Sequence, residues 1–339
     1  MWLICSGLMS LKKMTATPKA MGGYFELALP DRTHDTYSAA LKYQSARSAF
    51  LALLRTCRPQ RVWLPTYLCD AMLAPVRHAG IELCFYAVDA HLGIATDITL
   101  ASTDMLLYVN YFGLCDAEVD KVLARFDPQQ VVLDYSQAFY AQPRACLATI
   151  YSPRKFFPLP DGGLMFTAQP VEPAVAVDER SLDRMRHLLR RCSETPESGY
   201  SDYQSAEASL EEDIEPKAMS CLTSKLFQTL DVEQARIKRN ANFGVLHAAL
   251  GASNLFEIRA ETVNGPLSYP WLVHDASLRQ KLIAERIFVP TYWPDVRTRA
   301  DASSWAAHYA DRCLALPCDQ RYGSEDMDRM IKLVRSWIQ

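Results

Sequence analysis

The stretch VVLDYSQAFYAQPRACLATIYSPRKFFPLPDGG, residues 131–163, holds two short apolar runs, each followed closely by a residue able to do chemistry. VVLDYS reads as a strand carrying Asp134, and CLATIYS as a strand followed by Lys155, twenty-one positions after the aspartate. In open parallel sheets, ligands sit beyond the carboxyl ends of the strands. Two adjacent strands of this kind would therefore aim an acid and an amine into one crevice. Gly162 and Gly163 then lead into GGLMFT, which reads as a further strand.

Working outward, the same alternation continues on both sides. The spacing of Tyr37, Ala40, Leu41, Ala49, Phe50, Leu53 and Leu54 predicts a helix from about residue 36. RVWLP, ELCFYAVD and DMLLYVNYFG predict strands, with helices over Met72, Leu73 and Val76, closing at Gly80, and over AEVDKVLARF. Repeated units of this length predict an α/β fold with a mostly parallel sheet sandwiched by helices. Residues 178–216 turn charged and polar, which predicts helices joined by an exposed loop. After Pro216, Leu222, Leu226, Leu230 and Ala235 predict one long helix toward Leu250, with Gly251 as its stop. Beyond it come LSYPWLV, a helix around LRQKLIAERI, the stretch FVPTYWP and a final helix capped by Ser324 with Asp326 and Asp328. The expected organisation is a loose arm over 1–20, a large domain over 21–250 and a smaller C-terminal α/β domain over 251–339.

Composition narrows the function. The 339 residues are 49% hydrophobic and 22% charged, with formal net charge -3 spread along the chain. That leaves no electrostatic footprint for nucleic acid or anionic lipid and favours a small-molecule partner. Ten cysteines are scattered singly, without a paired spacing, and the seven histidines lack metal-ligand spacing, so no metal site is expected. Reduced thiols, apolar residues placed before rather than after the first lysines, and the lack of any apolar run near ~20 residues predict a cytoplasmic protein with no membrane span.

An amine attacks a carbonyl only when neutral, which an apolar setting such as Phe156, Phe157 and Leu159 favours, and a nearby carboxylate can keep a heterocyclic nitrogen protonated. Those two roles are what pyridoxal 5'-phosphate (PLP) requires of Lys155 and Asp134. Its phosphate needs N–H groups at a helix start, and YQSARSAF (43–50) offers Ser45, Arg47 and Ser48 at such a point. Each residue also has a plainer reading. A lysine after a strand is ordinarily a solvated loop residue, a strand-terminal aspartate caps a turn, the serines cap a helix, and Tyr67 and Cys69 pack in a core. The aromatics of TYWPD (291–295) read either as packing or as facing a substrate. No Gly-x-Gly-x-x-Gly follows a strand, which counts against a dinucleotide fold.

Taken in order, QSARSAFLALL, VWLPTYLCDAMLAPVRHAGIELCFYAVD, LLYVNYFG, VVLDYSQAF, YSPRKFFPLPDGG and LPCDQRYGSEDMDRMIKLV resemble the DegT/StrS-type sugar aminotransferases, PLP-dependent enzymes of the aspartate aminotransferase fold. The resemblance runs from GGYFEL to the end of the chain. It implies that Lys155 is the Schiff-base lysine and proton shuttle, that Asp134 pairs with the pyridine nitrogen, and that Gln137 lies against the ring oxygen. Ala46, Arg47 and Ser48 would hold the phosphate with help from Ser152, and Tyr67 or Cys69 would cover the ring face. It further implies a homodimer that moves an amino group, with glutamate as donor, to the keto group of a nucleotide-linked sugar in polysaccharide or glycoconjugate assembly. The dehydratase branch of that family has histidine in place of the lysine, so Lys155 argues against that branch. Three departures stand out: Ala46-Arg47 replaces a usual Gly-Thr, YSPR replaces a Ser-x-His segment, and Cys69 occupies an aromatic position. They motivate the competing reading of a non-catalytic or regulatory protein that keeps the fold without turnover.

Overall fold

The computed structural model describes residues 21–30 and 37–338; the arm expected over 1–20 lies outside the described residues. Seven strands form the main sheet. They are β1 (Leu41–Tyr43), β2 (Arg61–Pro65), β3 (Glu82–Tyr86), β4 (Asp104–Val109), β5 (Val131–Tyr135), β6 (Ala148–Tyr151) and β7 (Gly163–Phe166). Their spatial order is β1-β7-β6-β5-β4-β2-β3, parallel from β6 to β3, with β7 and β1 antiparallel at one end. The apolar runs of β4, β5 and β6 are buried along their whole lengths, as strands covered on both faces must be. The covering helices in this half are α1 (Ala46–Cys57), α2 (Leu73–His78) and α3 (Asp116–Arg125). Phe50, Leu51, Leu53 and Leu54 of α1 are fully buried, each contributing about 1.5–3 kcal/mol by leaving water.

The order places a reversal between β2 and β4. The chain runs from β2 outward to β3, then returns across β2 to build β4, β5 and β6 on the other side. Loops leaving the carboxyl ends of β2 and β4 therefore diverge, which opens the crevice where parallel sheets bind ligands.

Two expectations about helices are corrected. The helix expected from residue 36 begins at Ala46: Tyr37 has φ 73°, and Leu41–Tyr43 pair with β7 as an edge strand. Apolar spacing over five residues fits either element, and β7 supplies the partner that decides it. The long helix after Pro216 is two, α7 (Cys221–Gln228) and α8 (Val232–Leu250), because Asp231 caps α8 by accepting from the Gln234 N–H at 3.0 Å. Between β7 and α7 lie α4 (Ser181–Arg184), α5 (Arg186–Ser193) and α6 (Tyr200–Glu212).

The C-terminal part adds β8 (Tyr269–Leu272), α9 (Leu278–Ala284), α10 (Trp305–Arg312), β9 (Cys313–Leu316) and α11 (Ser324–Ile338), with β8 and β9 forming an antiparallel pair. A second apolar cluster joins Phe243, Leu246 and Leu250 of α8 to Met327, Met330 and Val334 of α11 around Tyr269 and Trp271. Ser324 falls inside the first turn of α11, and the carboxylate that reaches back is Asp326, which accepts from the Gly323 N–H at 2.9 Å. FVPTYWP forms no strand; Trp293 takes φ 58° and leads into a short 3-10 turn. No helix among the described residues is long and apolar enough to cross a membrane.

Candidate active site

Asp134 lies on β5, opposite Val109 of β4 and Ile150 of β6, at 3% exposure. One carboxylate oxygen accepts the Ser136 N–H at 2.8 Å. Three residues on, Gln137 is 1% exposed; its Oε1 accepts the Phe112 N–H at 2.8 Å, whereas its Nε2 has no partner among the described residues. The β4 loop that supplies that N–H turns sharply, with positive φ at Phe112 and Gly113. A buried amide donor left unpaired costs about 1–3 kcal/mol, so Gln137 Nε2 marks a position where an acceptor from outside the protein would be stabilised.

Lys155 ends a short turn, Pro153–Lys155, that follows β6, with its N–H donating to the carbonyl of the buried Ser152 at 3.1 Å. Its side chain is exposed, in contrast to Phe156, Phe157 and Leu159, which were expected to give it an apolar setting. Those three side chains are buried, with Phe139 packed against Phe156 and Phe157 at 5.6 and 5.0 Å. From the far side, Arg239 of α8 and Gln320 donate to the Phe156 carbonyl at 3.1 and 2.8 Å, and the Arg239 guanidinium lies 4.7 Å over the Phe156 ring. The lysine turn is thus clamped by residues more than eighty positions later in the chain, which no local pattern around Lys155 could reveal.

The glycine pair ties this turn to the start of α1. Gly162, at φ +122°, donates its N–H to the Gln44 carbonyl at 2.7 Å, and a β-carbon at Gly163 would lie 2.3 Å from the Ser45 oxygen and 2.5 Å from the Ala46 nitrogen. Only glycine allows that approach. At the α1 start, the Ser45 hydroxyl caps the helix by accepting the Ser48 N–H at 3.2 Å and lies 2.7 Å from the Ser48 hydroxyl. The Ser48 N–H expected to hold a phosphate is therefore engaged. The N–H groups of Ala46 and Arg47, in the first turn, have no intrahelical acceptor. Arg47 is 7% exposed with Nη1 unpartnered among the described residues, and its strongest charged neighbour is another cation, Arg154. Burial, followed by Arg154, lowers the Arg47 pKa; an anion at this helix start would offset both.

Cys69 stands among all of these groups. Burial pushes its thiol up, Lys155 pulls it down, Asp134 pushes it up again and Arg47 pulls it down, so Cys69 lies within the electrostatic reach of all three. Tyr67 has different neighbours. It is fully buried, stacked on Tyr111 at 5.4 Å and edge-on to Trp293 at 4.6 Å, and its hydroxyl is raised first by burial and then by Cys313 and Tyr309. Of the two residues expected to cover a ring, Cys69 is the one that feels Lys155, Asp134 and Arg47, while the buried Tyr67 hydroxyl has no partner among the described residues. Arg299 secures the Cys69 loop by donating to the Thr66 carbonyl at 3.0 Å and by bonding Leu68 and Asp70.

The polar stretch 178–216 carries more than exposed helices. Arg184 pairs with Asp178 and Asp161, and Ser181 and Thr223 donate to Asp161, all five being buried directly beside the glycine pair. Burial pushes the Asp161 carboxyl up; at Asp178 burial also pushes upward, but Arg184, the Arg180 N–H and Asp161 together hold it below its ordinary value.

No protein-family model and no curated protein sequence matches the chain. Solved structures do. A DegT/DnrJ/EryC1/StrS aminotransferase from Brucella abortus is 17% identical over 88% of this chain and 85% of its own, with TM-score 0.63. The PLP form of Spr1654 from Streptococcus pneumoniae is 15% identical over 89% and 88%, with TM-score 0.62. DesI, solved in the presence of its TDP-sugar product, is 16% identical over 88% and 80%, with TM-score 0.61. The chain has the fold of these proteins, the α/β architecture with a mostly parallel sheet expected from its sequence.

Proposed function

We propose that the chain is a PLP-dependent aminotransferase moving an amino group from an amino acid, glutamate in the first instance, to the keto group of a nucleotide-linked sugar. The observation that supports this reading is two buried donors, Gln137 Nε2 and Arg47 Nη1, without partners among the described residues, on the loop after Asp134 and at the start of α1, while Cys69 feels the charges of Asp134, Lys155 and Arg47. They fit a ligand with a ring oxygen and a phosphate. When bound, PLP supplies an aldehyde for the amine and an electron sink for the α-carbon.

The chain's own residues would divide the remaining work. The Asp134 carboxylate holds a proton on the pyridine nitrogen, its position fixed by the Ser136 N–H. Gln137 Nε2 would donate to the ring oxygen, and Cys69 would lie nearest the ring. The Arg47 guanidinium and the first N–H groups of α1 take the phosphate, with Ser152 nearby, so a charged fork replaces the family's hydroxyl donor. Lys155 would be the amine that holds the cofactor through its aldehyde, and its Nζ, when free, would be the base that moves the proton from the donor's α-carbon. DesI, with its TDP-sugar product, supports the nucleotide-linked acceptor. A cytoplasmic homodimer in polysaccharide or glycoconjugate assembly completes the reading, with the exposed Tyr24, Phe25 and Leu27 as apolar surface for the second copy.

The test is an absorption titration. Purified protein with added PLP should develop the visible band of a lysine-bound cofactor, and glutamate should convert it to the amine form. A spectrum that remains that of free PLP sinks the proposal.

A further inference from the structure

One charged pair beside the lysine has no part in the scheme above. Arg154, the residue before Lys155, makes a two-point ion pair with Glu207 of α6, one arm measuring 2.9 Å. Among the described residues its guanidinium hydrogen-bonds to this carboxylate alone. The pair is not sealed: side-chain exposures are 16% for Arg154 and 27% for Glu207, against 1% and 0% for Arg184 and its two aspartates. Burial would raise the Glu207 carboxyl, but Arg154, Arg47 and Lys155 together hold it below its ordinary value. One carboxylate, borne on α6 rather than on the sheet, thus sits partly exposed in the field of three cations.

An amino acid that delivers its nitrogen at Lys155 brings its α-carbon, and with it a carboxylate, to within a few ångströms of that amine. Arg154 and Lys155 share the turn Pro153–Lys155, and the Glu207 carboxylate held by the Arg154 fork also feels the charge of Lys155. A planar fork is the side chain best matched to a carboxylate, and Glu207 shows that this fork accepts one in two-point fashion.

We propose that Arg154 is the receptor for the α-carboxylate of the amino donor, and that Glu207 occupies the fork until the donor displaces it. The proposal rests on the aminotransferase reading and narrows the donor to an α-amino acid rather than a simple amine. Glu207 is a competitor for the fork, so its removal and the removal of Arg154 should act in opposite directions. A pair that merely braced α6 against the lysine turn would give the same direction for both.

The experiment is calorimetric binding of α-methylglutamate, which carries the carboxylate but lacks the α-proton, to PLP-loaded wild type, Arg154→Gln and Glu207→Gln. Arg154→Gln should weaken binding by about tenfold to a hundredfold, the loss of a charge-assisted pair. Glu207→Gln should tighten it severalfold, and this arm carries the test even if Arg154→Gln does not fold. Wild-type affinity in Arg154→Gln, or weaker binding in Glu207→Gln, would overturn this inference while leaving the aminotransferase reading intact. A wild-type protein that forms no lysine-bound PLP band overturns both.

Discussion

Replacing Gly163 by alanine tests the junction on which the site is built. The added β-carbon would lie 2.2 Å from the Ser45 carbonyl carbon, 2.3 Å from its oxygen and 2.5 Å from the Ala46 nitrogen. Carbon atoms in contact rest about 3.5–4.0 Å apart, so the two backbones must separate by roughly 1 Å or more. Neither is free to do so. Gly163 is paired with Tyr43 across β1 and β7, the Gly162 N–H is bonded to the Gln44 carbonyl at 2.7 Å, and Ser45 caps α1. Overpacking of this kind costs about 1–3 kcal/mol, and two backbones in contact put the expected loss near the upper end. The displaced atoms are the N–H groups assigned to the phosphate, and a shift of about 1 Å in positioning groups costs on the order of a hundredfold in rate. Urea unfolding and a PLP titration read the two effects separately. Gly244, in α8 with open space around it, is the control: alanine there should stabilise by about 0.5–1 kcal/mol. If Gly163→Ala keeps wild-type stability and PLP affinity, the close approach of the glycine pair to Ser45 is not as described and the reasoning fails.

Other consequences can be checked alongside. Arg47→Gln should weaken PLP binding by about tenfold to a hundredfold in equilibrium dialysis, while binding of pyridoxal, which lacks the phosphate, stays unchanged. Glu207 has a lowered carboxyl pKa in the folded state, so its contribution is fully present above the unfolded value of about 4.3 and is lost as pH falls through the lower folded value. Thermal unfolding of Glu207→Gln should therefore fall less steeply than that of wild type below about pH 4.3, and parallel curves would count against the pair. Leu53→Ala, at a fully buried site in α1, should cost about 2–5 kcal/mol in chemical denaturation.

Much of the sheet was legible because its central strands are buried on both faces, which leaves continuous apolar runs that local reading detects. Asp134 and Lys155 were legible for the same reason: each interrupts or follows such a run. The end of β2 was harder, since Tyr67 and Cys69 are both apolar in character and only the packing of Tyr67 on Tyr111 and Trp293 separates them. The break between α7 and α8 was hidden by the even spacing of Leu222, Leu226 and Leu230, although Asp231 followed three residues later by Gln234 is a helix-start signal present in the sequence. The Asp161, Asp178 and Arg184 cluster could not be read, because buried charges look like surface charges until their partners are known. The same holds for Arg239 and Gln320, whose contact with the lysine turn spans more than eighty residues of chain.

The central claim is that Lys155 is the residue that binds the cofactor aldehyde. Borohydride reduction of the PLP-treated protein, followed by peptide mass mapping, addresses it directly. The account predicts one pyridoxyl label, on Lys155, absent from Lys155→Ala; a label on another lysine, or no label in the wild type, would contradict it.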